Sequence, residues 1–350
     1  MITKILLEEK VQQAKKLMDE AENIVVISHK SPDGDAVGSA MALYHFLFSI
    51  DKNVSVIIPD RFPDFLSWLP SSDEVIFYNE NKTKADELFA AADLIYALDF
   101  NTLSRIGDMA DAVDKAPAAK ILLDHHPLPG HFAQVIISHP EIASTSEMVF
   151  RLISRMGHFP DINIPCAEAI YTGMMTDTGA FTFNSNNDEI YIIISELIKI
   201  GIDKDLIYNN VYNNYSADRL RLMGFSLSEK MRVYPEHRAA LITLSLEEKK
   251  RFNYKKGDTE GFVNIPLSIK GIVFSAFFRK EDYKIRISLR SKNDSGFAVN
   301  KVCETYYNGS GHFNAAGGEA KMSMEEAIAF FENVVLVECK DLLNATNDYQ

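Results

Sequence analysis

Eight acidic and imidazole side chains fall in four short segments of the N-terminal part of the chain, where predicted elements end. These are His29, Asp33 and Asp35, then Asp99, then Asp124, His125 and His126, and finally Asp177. Carboxylates are hard oxygen ligands that suit Mn²⁺ or Mg²⁺, and imidazole adds a preference for transition metals. Because the set contains no cysteine, it favours Mn²⁺ over Zn²⁺. The residue types therefore predict a site for divalent cations.

Three of the four segments begin just past the carboxyl end of a predicted strand. Ligands of open α/β sheets bind at that edge, so we expect the segments to converge on one crevice. Carboxylates gathered there would repel one another, and cations would relieve the repulsion. A carboxylate has two oxygens and is able to bridge two ions about 3.5–4 Å apart, as two-metal phosphatases and nucleases require.

Each residue taken alone has a simpler structural interpretation. An aspartate after a strand is often a turn residue or a helix N-cap, and Asp33 before Gly34 fits that description. Asp99 alone is uninformative, and a single His29 is more often structural. The triplet from Asp124 to His126 is harder to explain in this way, because buried charged and imidazole groups need partners. Four separate segments would have to imitate one site.

The elements that position these residues alternate between β-branched runs and helical patterns. Strands are predicted at 23–28, 54–58, 94–98, 120–123 and 134–138. Helices are predicted at 36–49, 86–92, 145–156 and 165–175. This alternation predicts an α/β fold with a doubly wound, mostly parallel sheet that is covered by helices on both faces.

The rest of the chain predicts a helical connector and a second, smaller α/β domain. Helices are predicted at 188–200 and, with breaks, at 204–230. Strands, or strands alternating with helix, are predicted at 239–244, 272–279, 284–290 and 299–305, followed by a glycine-rich loop and a closing helix at 325–343. We therefore predict a catalytic domain at 1–195, a helical linker at 196–232 and a substrate-binding domain at 233–350.

Composition limits the class of partner and the compartment. The net charge is −13, from 36 Lys and Arg against 49 Asp and Glu, which argues against a long, non-specific grip on duplex nucleic acid but not against a small phosphorylated substrate. Three widely spaced cysteines show no CxxC motif and fit a reducing compartment. The chain shows no secretory signal and no apolar run long enough to cross a bilayer, so we expect a cytoplasmic protein.

At this point the motifs resemble those of a known family. Asp124-His125-His126 is similar to the signature triplet of the DHH phosphoesterase superfamily, and the other acidic and histidine motifs match in order. The segment 309–317 resembles the glycine-rich loop with a histidine in the associated substrate domain, although Ser310 replaces the middle glycine. Within the superfamily, length and layout look like the bacterial nano-RNase and pAp phosphatase group, relatives of the RecJ exonucleases.

The resemblance implies a role for each matching residue. His29, Asp33 and Asp99 would hold one metal ion, and Asp35, Asp99, His125 and Asp177 would hold the other, with Asp99 as the bridge. His126 would contact the scissile phosphate or the leaving group, and Asp124 would orient a histidine. Residues of the C-terminal domain would bind substrate, namely Arg286, Ser288, Arg290, Ser291, Gly309, Gly311, His312 and Asn314. The alternative for Arg286 and Arg290 is that both simply line one solvated strand face.

The activity that the resemblance implies is hydrolysis of short single-stranded RNA or DNA to mononucleotides and of 3′-phosphoadenosine 5′-phosphate (pAp) to AMP. Two divalent ions would act as cofactors, Mn²⁺ first, with Mg²⁺ or Co²⁺ as alternatives. A linear or cyclic dinucleotide phosphodiesterase is the competing enzyme, and a non-catalytic nucleotide-binding regulator is the competing binding module. A monomer and a homodimer both remain open.

Overall fold

The computed structural model describes residues 4–292 and 295–344 and separates into two compact units. The first unit comprises residues 1–214 and the second comprises residues 215–350. The division falls inside the segment predicted as the linker, whose bounds stay a prediction. Each unit has a six-stranded sheet and hydrophobic core clusters of its own.

The first unit is built on a fully parallel sheet with strand order β3-β2-β1-β4-β5-β6. Its strands are β1 (Asn23–Ile27), β2 (Asn53–Ile58), β3 (Ile76–Phe77), β4 (Leu94–Leu98), β5 (Ala119–Asp124) and β6 (Val135–Ser138). The predicted doubly wound parallel sheet is confirmed. The short β3 is an additional edge strand that the sequence did not predict.

Eight helices belong to the described part of this unit. They are α1 (Glu8–Glu20), α2 (Gly34–Ser49), α3 (Lys82–Ala91), α4 (Ala110–Lys115), α5 (Thr145–Arg155), α6 (Ile164–Asp177), α7 (Asp188–Ile200) and α8 (Lys204–Tyr212). Single-turn 3₁₀ segments occur among them, and a longer one, Leu103–Met109, follows β4.

Helices cover both faces of this sheet because its strands are apolar throughout. In β1, Ile24 and Val26 join a core formed with α1, α2 and α5 to α8, whereas Val25 and Ile27 join a second core formed with α3 and α4. Successive side chains of a strand point to opposite faces, so an unbroken apolar run can be buried only between two layers of helices. The hydrophobic pattern therefore determines the three-layer arrangement.

Two glycines let α2 and α6 approach closely. A Cβ atom on Gly38 would lie 2.8 Å from the backbone of Gly173, and one on Gly173 would lie 1.9 Å from Ser146 Oγ and 2.8 Å from Asp35 Oδ1. Any larger side chain at Gly173 would therefore displace its neighbours. This contact brings the start of α2, the start of α5 and the end of α6 together.

The second unit has a mixed sheet with strand order β11-β12-β10-β9-β8-β7. Its strands are β7 (Met231–Tyr234), β8 (Ala239–Leu244), β9 (Phe274–Lys280), β10 (Ile285–Ser291), β11 (Ser310–His312) and β12 (Ala315–Ala320). Among the described residues of this second sheet, only β8 and β9 pair in parallel, and the other neighbouring strands pair antiparallel. Its helices are α9 (Ala217–Phe225), α10 (Leu246–Arg251), α11 (Val299–Tyr306), α12 (Met324–Phe330), α13 (Leu336–Glu338) and α14 (Lys340–Asn344).

Three details of the second unit differ from the sequence expectation. The segment at 299–305 is the helix α11, since Val299, Val302 and Cys303 are buried at helical spacing. The glycine-rich loop is the hairpin of β11 and β12. The closing helix is interrupted by a π-helical turn at Phe331–Val335 and divides into α12, α13 and α14.

None of the helices in the described residues has the length and apolar character needed to cross a bilayer. All three cysteines are free thiols and are buried.

Candidate metal centre

The predicted ligands of the first unit meet at the edge where its parallel strands end, here called the carboxyl edge. His29 follows β1, Asp99 follows β4, and His125 follows β5. Asp35 lies in the first turn of α2, and Asp177 is the last residue of α6. The topology thus places the four predicted segments of the chain around one crevice.

One group of donors consists of His29, Asp33 and Asp99. Nε2 of His29 lies 3.9 Å from Asp33 Oδ1 and 3.5 Å from Asp99 Oδ2. Asp33 also caps α2, because its Oδ1 accepts hydrogen bonds from the backbone N–H groups of Asp35 and Ala36. The helix-cap interpretation and the ligand interpretation of Asp33 are therefore compatible. Its carboxylate is half exposed, whereas Asp99 and His29 are buried.

A second group consists of Asp35, His125 and Asp177. Nε2 of His125 lies 3.9 Å from Asp35 Oδ2, 3.6 Å from Asp177 Oδ2 and 3.5 Å from Asp99 Oδ1. Two ligands that each bind one ion at about 2.1 Å lie no more than about 4.2 Å apart. All of these separations are within that limit, and the donor atoms of each group lie within 4.8 Å of one another.

Asp99 stands between the two groups and presents a different oxygen to each. Its Oδ2 lies nearest to His29 and its Oδ1 nearest to His125, both at 3.5 Å. The Asp99 backbone has a φ of +64°, in the left-handed region that aspartate tolerates better than most residues. Backbone strain of this kind is often kept at functional sites. The geometry fits a carboxylate that is shared by two ions.

The histidine tautomers also fit metal ligation. Nδ1 of His29 lies 3.0 Å from the carbonyl oxygen of Lys30, and Nδ1 of His125 lies 3.2 Å from that of Ile142. A carbonyl accepts only, so each Nδ1 carries the proton it donates, and each Nε2 is directed to the carboxylates. Metal-binding histidines are usually oriented by such a bond from the other ring nitrogen.

The pKa values of two buried acids and of one histidine in this site are shifted towards their protonated forms. Burial, and then the charges of Asp35 and Asp33, raise the pKa of Asp99 well above its usual range. Burial also raises the pKa of Asp35. Burial alone would lower the pKa of His125, but the carboxylates of Asp177, Asp99 and Asp35 outweigh it and raise the pKa to about 9. A cluster that retains protons so strongly attracts positive charge.

The remaining histidine of the triplet has a different partner. His126 Nδ1 lies 2.8 Å from Asp124 Oδ1 and 3.8 Å from Asp99 Oδ1. Asp124 is fully buried at the end of β5. Desolvation and the neighbouring His125 lower the pKa of His126 to about 2, so its ring is neutral at physiological pH. A neutral ring that donates from Nδ1 has an unprotonated Nε2.

Sequence reasoning missed two residues that hold the acidic ligands in place. The backbone N–H groups of Thr145 and Ser146 donate to the two carboxylate oxygens of Asp35 at 2.6 and 2.9 Å. The hydroxyl of Thr145 donates to Asp99 Oδ1 at 2.9 Å. The available signal was Ser144 three residues before Glu147, a helix-start pattern, since Ser144 Oγ accepts from the Glu147 N–H.

A buried ion network fixes the helix that carries these donors. Arg151 of α5 donates to Glu147 at 2.6 and 2.8 Å and to Glu189 of α7 at 2.8 Å. Burial raises the pKa of Glu147, against the opposing effect of Arg151. The network joins α5 to α7 and so holds the start of α5 against Asp35.

The predicted substrate residues of β10 fall on two faces of the strand. Arg286, Ser288 and Arg290 alternate with buried residues and share the half-exposed face. Ser291 lies on the opposite, buried face, where its hydroxyl donates to the carbonyl of Phe297 at 2.7 Å and lies 3.0 Å from Asn314 Oδ1. The structure thus groups the first three side chains and separates Ser291 from them.

The remaining predicted residues lie on the β11–β12 hairpin. Gly311 and His312 pair with Ala316 and Ala315, and Asn314 is in the turn between the two strands. A Cβ on Gly309 would lie 2.2 Å from the carbonyl oxygen of Gly317, so close backbone packing excludes a side chain there. Ser310 has an ordinary φ, and a serine fits this position without backbone strain.

Two family descriptions match the chain, one over the candidate metal ligands and one over the predicted substrate residues. The DHH family, N-terminal domain, matches residues 23–174, and the DHHA1 domain matches residues 239–336. The first range contains every candidate metal ligand except Asp177. The second range contains β10 and the hairpin of β11 and β12.

Whole-chain similarities agree with these matches. An exopolyphosphatase-related protein of Bacteroides fragilis, known from a crystal structure, is 54% identical over 98% of this chain and 100% of its own, with a TM-score of 0.94. A bifunctional oligoribonuclease and PAP phosphatase of Thermus thermophilus is 28% identical over 92% of this chain and 91% of its own. RecJ of T. thermophilus, crystallised with Mn²⁺, shares the fold at 12% identity and a TM-score of 0.52, over 97% of this chain and 55% of its own. The resemblance seen in the motifs is confirmed, and the chain belongs to the DHH family.

Proposed function

We propose that this protein is a phosphoesterase that uses two divalent ions, Mn²⁺ first, to hydrolyse short oligonucleotides to mononucleotides and pAp to AMP. The observation that carries the proposal is the position of Asp99, whose two oxygens each lie 3.5 Å from a different histidine of two separate donor groups. The relative from T. thermophilus supports the substrate class, since its name states both activities. The free, buried cysteines support a reducing compartment, and we propose the cytoplasm.

The proposed ligands divide the work between the two donor groups. His29, Asp33 and Asp99 would hold one ion, and Asp35, Asp99, His125 and Asp177 the other. Ions bound in this way supply an activated water near neutral pH and offset the charge on the phosphoryl oxygens. The choice of Mn²⁺ follows from the mixture of carboxylate oxygen and imidazole nitrogen.

His126 is proposed to act on the substrate rather than on the ions. Asp124 accepts its Nδ1 proton, so its unprotonated Nε2 meets the scissile phosphate or the leaving group through a proton carried by one of their oxygens. Its pKa of about 2 keeps the ring neutral across the physiological range. The ring therefore accepts a hydrogen bond or a proton at Nε2 and does not enter the reaction as a cation.

The second unit is proposed to bind a further phosphate of the substrate. Arg286 and Arg290 flank Ser288 on one half-exposed strand face, which presents two positive charges and a hydroxyl on the same side of the sheet. Arginine forks match phosphate oxygens in a bidentate way. Ser291 is assigned to the support of the hairpin, through Asn314, instead of to the anion.

A substrate panel with Mn²⁺ tests the proposal. We expect release of AMP from pAp and from the dinucleotide pApA, measured by chromatography, and loss of both activities in EDTA with recovery after Mn²⁺ is restored. Cyclic di-AMP, polyphosphate and pyrophosphate should react at least about tenfold more slowly, because a site that positions one substrate class disfavours others.

The test variant is Asp99→Asn, which keeps the size of the side chain. The matched control is Asp111→Asn, the same change at an exposed position. Only the first should lose activity. Preferred turnover of cyclic di-AMP would favour the dinucleotide phosphodiesterase, and tight nucleotide binding without any release would favour a regulator. Either outcome contradicts the proposal.

A further inference from the structure

Two cationic side chains adjoin the metal centre at the carboxyl edge. Lys30 directly follows His29, and Arg105 lies in the 3₁₀ segment that follows Asp99. The N–H of Lys30 donates to the carbonyl oxygen of Arg105 at 2.8 Å, so the two residues are joined through their backbones. The stem of Lys30 passes over Gly107, where a Cβ would lie 3.5 Å from Lys30 Cδ.

The two cations lack ion-pair partners in the described part of the chain. Through residues 4–292 and 295–344, neither Lys30 nor Arg105 forms an ion pair with a carboxylate, whereas other cations of this unit do, such as Arg61 with Glu80 and Arg155 with Glu8. Lys30 is exposed and Arg105 is half-buried. A half-buried guanidinium without an ion-pair partner in a protein of net charge −13 is unusual, and such a group is suited to bind an anionic ligand.

The charge of Arg105 reaches the donor groups. The guanidinium charge acts electrostatically on the Asp33 carboxylate and on the His126 ring. The backbone carbonyl of Arg105 accepts from Lys30, the neighbour of His29, at the same edge of the sheet. Arg105 is therefore near both Asp33 and the histidine that is proposed to meet the substrate.

A charge count explains why the centre needs these cations. Asp33, Asp35, Asp99 and Asp177 carry four negative charges, which two divalent ions would neutralise. A phosphate monoester then adds up to two further negative charges to a low-dielectric site, where uncompensated charge is costly. Lys30 and Arg105 supply two positive charges at the same edge.

We propose that Arg105, assisted by Lys30, binds the non-bridging oxygens of the phosphate that is hydrolysed at the metal centre. The inference rests on the proposed function and names the groups that recognise its substrate within the first unit. Arginine suits this task because its planar fork donates two parallel hydrogen bonds to a phosphate. Lysine adds a mobile point charge from the solvent side. A hydrogen bond to an oxygen that gains charge in the transition state contributes to rate as well as to binding.

The test measures binding of inorganic phosphate to the full-length, Mn²⁺-loaded protein by calorimetry, together with Mn²⁺ binding and steady-state hydrolysis of pAp. Arg105→Ala should weaken phosphate binding by about 10- to 100-fold, and Lys30→Ala by about 3- to 10-fold. Arg105→Lys should recover part of the loss. The affinity for Mn²⁺ should stay the same or increase, because removal of a nearby positive charge relieves repulsion of the ions.

Lys115→Ala is the control, since it makes the same charge change at an exposed position before β5, at the opposite edge of the sheet. Circular dichroism checks the fold, and Arg105→Gln replaces the alanine variant if that variant does not fold. If the Arg105 variants bind phosphate as tightly as the unmodified protein, and the unmodified protein hydrolyses pAp, this assignment is wrong and the proposed function stands. Weaker Mn²⁺ binding in those variants overturns it as well, since Arg105 would then support the ligands. Absence of hydrolysis by the wild type overturns both proposals.

Discussion

His126 and Asp124 form a hydrogen-bonded pair at the end of β5, with Nδ1 of the imidazole 2.8 Å from Oδ1 of the carboxylate. The pair separates two histidines that are neighbours in sequence. His125 directs Nε2 to the carboxylates of the candidate metal centre, whereas His126 is held by Asp124. In the proposed function, one triplet thus provides a metal ligand, a group for the substrate and the carboxylate that orients it.

Replacing Asp124 by Asn should lower kcat while leaving metal binding intact. The amide no longer requires a proton on His126 Nδ1, so the favoured tautomer and ring orientation are lost. We expect a decrease in kcat of about 10- to 100-fold, as for other residues that orient a site histidine. Steady-state hydrolysis of pAp and Mn²⁺ titration measure the two effects separately. Wild-type kcat, or the loss of a bound ion, would contradict the role given to Asp124.

Replacing Thr145 by Val should weaken metal binding. The change keeps the shape of the side chain but removes the hydroxyl that donates to Asp99 Oδ1. We expect a loss of about 10- to 100-fold in Mn²⁺ affinity, measured by calorimetry, and recovery with Thr145→Ser. Thr243→Val, at a buried position of the second unit, is the control. Unchanged affinity in Thr145→Val would show that the hydroxyl does not position the shared carboxylate.

Metal affinity should increase with pH. The pKa of about 9 for His125 means that the metal-free site carries a proton there near neutral pH, and the raised pKa values of Asp99 and Asp35 act in the same direction. A cation must displace the bound protons, so affinity is weakest at low pH and rises until the pKa of His125 is passed. Each released proton contributes about tenfold per pH unit. Calorimetry between about pH 6 and pH 8, in buffers of different ionisation enthalpy, counts the protons. Binding without proton release would contradict this electrostatic account.

Replacing Arg151 by Leu should destabilise the first unit. The change leaves the buried carboxylates of Glu147 and Glu189 without their cation, and loss of one partner of a buried ion pair costs about 3–5 kcal/mol. The free energy of unfolding, from urea denaturation of the metal-free protein, measures the loss. Arg61→Leu removes an exposed pair with Glu80 and should cost less than about 1 kcal/mol. Equal effects of the two substitutions would contradict a structural role for the network.

The sequence predicted the fold of the first unit, and the convergence of its acidic and histidine residues, because both follow local rules. Strands such as β1 and β4 are unbroken apolar runs, and His29 and Asp99 occur where those runs end. Strand ends converge in a parallel sheet, so the position of each residue in the chain implies its position in space. Thr145 was missed because its role is a contact across more than forty residues of chain, with Asp99, and no local pattern reports such a contact.

The second unit was harder to predict because its patterns are ambiguous. The segment of α11 is short and rich in residues that suit a strand or a helix, and only burial of Val299, Val302 and Cys303 on one side decides the matter. The hairpin of β11 and β12 is rich in glycine, which weakens strands in isolation. Close packing, as between Gly309 and Gly317, supports these strands and is visible only in the folded chain.

Anomalous diffraction from crystals soaked in Mn²⁺ tests the central claim most directly. We predict two anomalous peaks about 3.5–4 Å apart, one on each side of the Asp99 carboxylate. One peak should lie beside His29 and Asp33, and the other beside His125 and Asp177. A single peak, or two peaks that do not share Asp99, would contradict the two-ion centre.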